Sequence, residues 1–260
     1  MTGRRCSRRA GQGGGGRLRF PAWRGADAEH PAIGGRPTGA FLTGGRSGRL
    51  QSMADRGRAA IFDRWWVPAL YDLDVRFASR LVWGASVASQ ARLLADVLTE
   101  GPVLDVPAGT GLFTARAVRA RRNDSLIVAV DLSGRVLRRA RRRLGDRAVY
   151  VEADVGQLPF RDGTFAAAHS SNGFHLFPDI SMAAEELVRV TRPAGRLVVT
   201  TWTDRGHFVA RWYQRLLARL GHVNVPRSPA DHISTIEAAG GVTETHTTTG
   251  TLLQWEGRRR

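Results

Sequence analysis

The residues of this chain that could do chemistry together are Asp105, Gly109, Gly111, Asp131, Asp154 and His175. Asp105 closes the apolar run Val103-Leu104, and a turn of small residues, Val106-Pro107-Ala108-Gly109-Thr110-Gly111, follows it. Glycine in such a turn accepts backbone angles closed to other residues and lets a ligand approach the main chain. Residues 112–118 then read as the start of a helix. Unpaired N–H groups and a partial positive charge at that point favour an anionic group. Asp131 ends the apolar run 126–130, twenty residues after Gly111, where an acid can accept two ribose hydroxyls. Asp154 stands just past the run 148–152. His175 follows a fourth run and is a candidate general base, because its ring titrates near neutral pH. The alternative is a histidine that is hydrogen-bonded beside a pocket and moves no proton.

These residues need a frame that brings strand ends together. The continuous apolar run 126–130 suits a buried parallel strand. Strands are also expected at 103–106, 148–152, 165–170 and 196–202. Helical spacing joins them: Val87, Ala91, Leu94 and Leu98 before the first, stopped by Gly101-Pro102. Ser133 is a reasonable N-cap for the next helix. That helix has an apolar face of Val136, Leu137, Ala140 and Leu144, with arginines 135, 138, 139, 141, 142 and 143 mostly opposite. Ala183, Leu187 and Val190 face another helix, which Arg192-Pro193-Ala194-Gly195 ends. An aromatic helical piece is expected at 208–220 and a final helix at 230–239, closed by Gly240-Gly241. Stretches 242–248 and 251–255 flank Gly250 as a hairpin. Alternating strands and helices make an open α/β sheet, which binds ligands at the carboxyl ends of its strands.

The stretch from Asp105 to Gly111 resembles motif I of the class I S-adenosylmethionine-dependent methyltransferases, acid-x-Gly-x-Gly-x-Gly, with Pro107 where the first glycine usually stands. A nicotinamide-binding Gly-x-Gly-x-x-Gly loop would need a third small residue at 114, where Thr114 stands; the acid four residues before Gly109 suits the methyltransferase better. A second segment is similar to the small-molecule members: Asp154, then Leu158-Pro159-Phe160, a turn, and Phe165, with Ala166 in place of the usual second Asp. The phrase 186–200 resembles their helix, Pro-Gly-Gly, strand unit, with Ala194 replacing one glycine. The likeness covers about 85–260 and is closest to the ubiquinone/menaquinone-biosynthesis-like, methyltransferase type 11 group. It implies a Rossmann-like seven-stranded sheet, mostly parallel with a C-terminal antiparallel hairpin and helices on both faces. It implies S-adenosylmethionine as cofactor, held by Asp105, Pro107, Ala108, Gly109, Gly111, Asp131, Leu132, Asp154, Val155 and Ser171. Asp131 would take the ribose, Asp154 the adenine, and the motif I loop the methionyl carboxylate.

Composition bounds the rest. The net charge is +16 and every basic residue is arginine; residues 1–50 hold ten arginines and two acids. Residues 1–52 are Gly- and Arg-rich and cannot bury enough to offset their ordering entropy. We read them as a disordered tail, with Met53 as an alternative start, and 53–260 as one methyltransferase domain. Arg4-Arg5 and Arg8-Arg9 are followed by Gly11 to Gly16 and not by the apolar segment of a twin-arginine signal. Cys6 is the one cysteine, which excludes an internal disulfide and any cysteine-based metal cluster and fits a cytoplasmic location. No metal site is expected. No apolar run approaches the roughly 18 residues of a membrane span.

The expected reaction is methyl transfer to a small molecule, apolar or aromatic. The pocket would be closed by Phe62, Trp65, Trp66 and Tyr71 and, after the fifth strand, by Trp212 and Tyr213. Two rivals stand beside it. A nucleic-acid methyltransferase is favoured by the charge, but Ser171-Asn172-Gly173-Phe174 is not the Asn/Asp-Pro-Pro-aromatic motif that such amino-methylating enzymes carry. A non-catalytic binding protein of the same fold is the other.

Overall fold

Apolar runs that alternate with amphipathic stretches build a sheet with helices laid across it. The computed structural model describes residues 41–43, 87–98, 101–120 and 125–260. The elements are β1 (Phe41–Thr43), α1 (Val87–Val97), β2 (Val103–Asp105), α2 (Leu112–Ala120), β3 (Ile127–Asp131), α3 (Gly134–Leu144) and β4 (Ala148–Glu152). There follow β5 (Phe165–Ser171), α4 (Ile180–Val190), β6 (Thr191–Trp202), α5 (Phe208–Arg219), α6 (Pro229–Ala238), β7 (Gly241–Thr249) and β8 (Leu252–Arg259).

The sheet order is β1-β4-β3-β2-β5-β6-β8-β7. Pairing is parallel from β1 through β6, and β8 runs antiparallel to both β6 and β7. Strands β2 to β8 are the expected seven-stranded sheet with its terminal hairpin. β1 adds an eighth, short strand on the outer edge of β4; the rest of the 1–52 tail lies outside the described residues. From β2 the chain winds out through β3 and β4, then returns to place β5 on β2's other side. Loops leaving β2 and β5 therefore diverge and open a crevice at the carboxyl edge.

Side chains alternate between the two faces. Val103, Ile127, Ala129, Tyr150, Ala167 and Val198 pack with Leu94, Ala115 and Leu137 of α1, α2 and α3. Leu104, Val130, Val151 and Val199 pack with Ala183 and Leu187 of α4 and Ile236 of α6. Local chemistry sets the helix starts. Ser133 caps α3 by accepting from the Val136 N–H, as expected. Ser228 and Asp231 form a reciprocal capping box at α6.

One boundary differs from the sequence expectation. β6 begins at Thr191 and not at 196. Phe165 pairs with Thr191, and Ala167 pairs next with Arg196, so 192–195 bulge out of the ladder. Ala194 takes φ 58° in that bulge, where glycine is usual. The turn chemistry that stops α4 is thus absorbed into the strand as a bulge.

Trp255 of β8 is fully buried, and its indole N–H donates to Thr243 Oγ1 at 2.9 Å, which locks the hairpin onto the core. Trp255→Ala is expected to cost about 3–5 kcal/mol by cavity formation, read as a lower midpoint in urea unfolding.

Candidate active site

The loop after β2 is pinned on both sides by main-chain bonds. Val106 N donates to His169 O of β5 at 2.9 Å, and Ala108 N to Val130 O of β3 at 2.8 Å. Gly109 and Gly111 take φ of 55° and 71°, angles that favour glycine. A Cβ at Gly111 would sit 3.2 Å from Ala140 and Leu144, so α3 packs directly under the loop. A Cβ at Gly109 would meet nothing within 4 Å; main chain there faces open space. Arg143 of α3 reaches back to the loop, donating to Thr110 O at 2.9 Å and Thr110 Oγ1 at 2.7 Å. The loop is therefore rigid, and α2 starts from it.

The structure places the expected site residues at the carboxyl edge of β2 to β5, in unequal settings. Asp105 is 2% exposed. Thr114 of α2 donates to its Oδ2, and His169 of β5 to its Oδ1 at 3.1 Å. Its carboxylate thus faces the interior. Asp131 is half-buried at the rim of the loop, with Gly109 N donating to Oδ2 at 2.9 Å and Ser133 N to Oδ1 at 3.0 Å. Leu132 lies beside it. Asp154 caps the short turn Val155–Gln157, accepting from Gly156 N at 2.9 Å, while Val155 is buried in the core. The Leu-Pro-Phe stretch behind it is fastened by α4: Arg189 donates to Leu158 O, Phe160 O and Asp162, and Glu186 accepts from Leu158 N. The Glu186 carboxylate, which accepts from Arg189 Nε and Nη2, and then Asp162 raise the basicity of Arg189, and the bond from Arg189 holds the Asp162 carboxyl below its ordinary value.

A buried polar cluster that the sequence reading missed closes the far side of the crevice. Gln90 of α1 is fully buried, and its Oε1 accepts from Asn172 Nδ2 at 2.7 Å and from Ser171 and Thr200 hydroxyls at 3.4 Å. Asn172 takes φ 52° and donates its N–H to Thr200 O at 2.8 Å. Ser171 is thus part of this network. The missed residues carried a signal: Gln90 is polar on an apolar helix face, and His169 is polar within a buried strand. Gly173 follows, and a Cβ there would fall 2.5 Å from Pro107 and 2.6 Å from Phe177. Only glycine lets this turn lie against the loop after β2.

His175 is 7% exposed and stacks flat on Trp202, with ring centroids 4.2 Å apart and planes 7° apart. Its Nδ1 lies 3.3 Å from Thr201 Oγ1. Burial, aided by His232, pushes its pKa down to about 3, and burial takes His232 to about 4. Below Trp202 an apolar cluster joins Leu112 and Phe113 of α2, Leu176, and Tyr213 and Leu217 of α5. Tyr213 therefore faces inward, but Trp212 is 61% exposed and does not. Phe62, Trp65, Trp66 and Tyr71 lie outside the described residues. Among the described residues no group of three or more His, Cys, Asp or Glu could hold a metal ion.

A family model for a methyltransferase domain matches residues 104–199. An uncharacterized protein of Mycobacterium tuberculosis is 37% identical over 109 residues, 41% of this chain and 39% of that one. The chain thus spans about two-fifths of the length of such curated relatives. A demethylmenaquinone methyltransferase of Thermus thermophilus is 36% identical over 161 residues, 58% of this chain and 71% of the relative. The chain belongs to the S-adenosylmethionine-dependent methyltransferase family. In fold, the chain resembles an S-adenosylmethionine-dependent methyltransferase, possible histamine N-methyltransferase, of Thermotoga maritima, with TM-score 0.60 and 19% identity over 78% of this chain and all of that one.

Two outcomes follow for the methyltransferase. Gly173→Ala forces Pro107 or Phe177 to move, and overpacking of this kind costs about 1–3 kcal/mol, visible as a lower Tm. His175 and His232 have folded pKa values below the ordinary 6.5. Between those values the unfolded chain binds protons that the folded rings refuse. The stability that these neutral rings contribute is therefore full above 6.5 and is lost as pH drops from there to about 4 for His232 and about 3 for His175. Urea unfolding at a series of pH values measures the slope, and His232→Gln should flatten it.

Proposed function

We propose that residues 53–260 form a domain that binds S-adenosylmethionine at the carboxyl edge and transfers its methyl group to a small apolar or aromatic acceptor. One observation carries this reading: the open main chain of Gly109 and the carboxylate of Asp131 meet at the rim of the crevice, 2.9 Å apart. The cofactor's groups fit the residues. Asp131 would accept the ribose hydroxyls, with Leu132 beside it. Asp154 and Val155 would hold the adenine. Pro107, Ala108, Gly109 and Gly111, with the α2 N-terminus behind them, would take the methionyl end, and Ser171 would border it. Asp105 acts through the loop that it anchors, since its carboxylate is buried.

When bound, S-adenosylmethionine supplies a methyl group already activated on a sulfonium. The chain's own residues then have to align the acceptor and exclude water. The apolar wall of Leu112, Phe113, Leu176 and Tyr213 beside the loop suits an acceptor with little charge. That the Thermus thermophilus relative is named for demethylmenaquinone supports the same class. A proton lost from the acceptor needs a base within hydrogen-bond reach. A ring held neutral to about 3 is a weak one, so we assign His175 a packing role on Trp202. With Cys6 as its single thiol, the chain suits a reducing compartment, and we place it in the cytoplasm. Among the described residues no helix is long and apolar enough to cross a membrane.

Asp131→Ala should weaken S-adenosylhomocysteine binding about ten- to hundredfold, because charge-assisted hydrogen bonds are worth roughly 1.5–3 kcal/mol and water replaces them in part. Titration calorimetry measures the change. Wild-type affinity in the variant would overturn the ribose assignment, and failure of the wild-type chain to bind would overturn the reading as a whole.

A further inference from the structure

Helix α5 carries two faces with different tasks. Ala210 and Gln214 are buried, and Tyr213, Leu217 and Ala218 pack on the Trp202 cluster. These contacts hold the helix to the body of the domain. The opposite side exposes a line of large apolar residues at four-residue spacing: Phe208 at 78%, Trp212 at 61%, Leu216 at 38% and, just past the helix end, Leu220 at 59%. Val209, the residue after Phe208, is exposed as well. An α-helix turns 3.6 residues per cycle, so residues four apart form one ridge. A contiguous apolar patch of this size on a soluble surface marks something that covers it.

Charge says what. Arg211, Arg215 and Arg219 form a second exposed ridge directly beside the first, each one residue before Trp212, Leu216 and Leu220. Arg205 and Arg227 flank it in sequence, and no acid occurs between Arg205 and Pro229. A helix with aromatic and leucine residues on one ridge and arginines on the next suits the boundary of a bilayer: apolar groups enter the acyl region while guanidinium groups meet phosphates. A second copy of the chain would set the arginine ridge against like charge. A polynucleotide would match the arginines and could stack on Phe208 and Trp212, but it would leave Leu216, Leu220 and Val209 exposed and uncovered, whereas a bilayer buries all five.

We propose that the outer face of α5 docks this protein on an anionic phospholipid surface. The helix lies in the interface and does not span it. Because α5 is already folded and packed on its inner side, docking orders no chain. The inner residues Tyr213 and Leu217 share the helix with the docking ridge and border the apolar wall beside the cofactor-side loop. Docking therefore sets the apolar wall next to the lipid, where an apolar acceptor partitions.

The test is co-sedimentation of the full chain with vesicles, without cofactor, so that it is independent of the methyl-transfer reading. Vesicles of phosphatidylcholine alone are compared with vesicles holding about one-third phosphatidylglycerol, whose negative surface attracts arginines close to it. The expected result is binding at least about tenfold stronger to the anionic vesicles, weakening as salt is raised. Phe208→Glu with Trp212→Glu should abolish binding while Tm stays near wild type, since both side chains are exposed. Replacing Arg211, Arg215 and Arg219 with Ala should remove the preference for anionic lipid. Equal binding to both vesicles, no binding to either, or binding unchanged by both sets of substitutions would overturn the proposal. So would a wild-type dimer, seen by sedimentation, that the glutamate variant dissociates without loss of vesicle binding; the ridge would then be covered by a second copy.

Discussion

A carboxylate with almost no exposure must find its donors inside the protein, because an unpaired buried charge costs several kcal/mol or more. Asp105 is that carboxylate. Thr114 reaches it from the first turn of α2, and His169 from the strand next door. Those contacts fix the end of β2, the direction in which α2 leaves the loop, and the pairing of β2 with β5. The crevice exists because these elements diverge from that point. Val106 and Ala108 then tie the loop's main chain to β5 and β3. What an approaching ligand meets is a frame already set.

Around this anchor the loops take their places by close approach. Gly111 lets α3 come under the loop, and Gly173 lets the turn after β5 come against Pro107. Gln90 reaches down from α1 and holds Asn172 in a left-handed conformation through one 2.7 Å bond. A helix that precedes β2 thereby shapes the turn after β5. The Glu186–Arg189 pair does the same for the stretch behind Asp154. The loops after β2, β4 and β5 are each braced by a helix distant in sequence.

Helix α5 has a different dependence. Its inner ridge is defined by packing on Trp202, and its outer ridge is left apolar and flanked by arginine. The two ridges lie on one helix, so whatever covers the outer ridge holds the same element that carries Tyr213 and Leu217.

Much was legible in the sequence. The continuous apolar run 126–130 marked β3, because strands covered on both faces are apolar throughout; shorter apolar stretches between helical patterns marked β2, β4, β5 and the second half of β6. The glycine spacing, Asp131 and Asp154 located the carboxyl edge, because a ligand there needs open main chain and acids at strand ends. Ser133 as a cap followed from local chemistry alone. Other features depended on which distant groups meet. Burial of Asp105 follows from His169, sixty-four residues on, and a sequence pattern cannot say whether an acid at a strand end looks inward or out. The role of Gln90 depends on Asn172 and Thr200, and the start of β6 at Thr191 depends on its pairing with Phe165. His175, read from spacing as a candidate base, is stacked and kept neutral by burial that only packing creates. Trp212 and Tyr213 are neighbours in sequence with the same chemistry, yet one faces out and the other inward. The turn of the helix and the position of Trp202 decided that, and only the tertiary structure holds both.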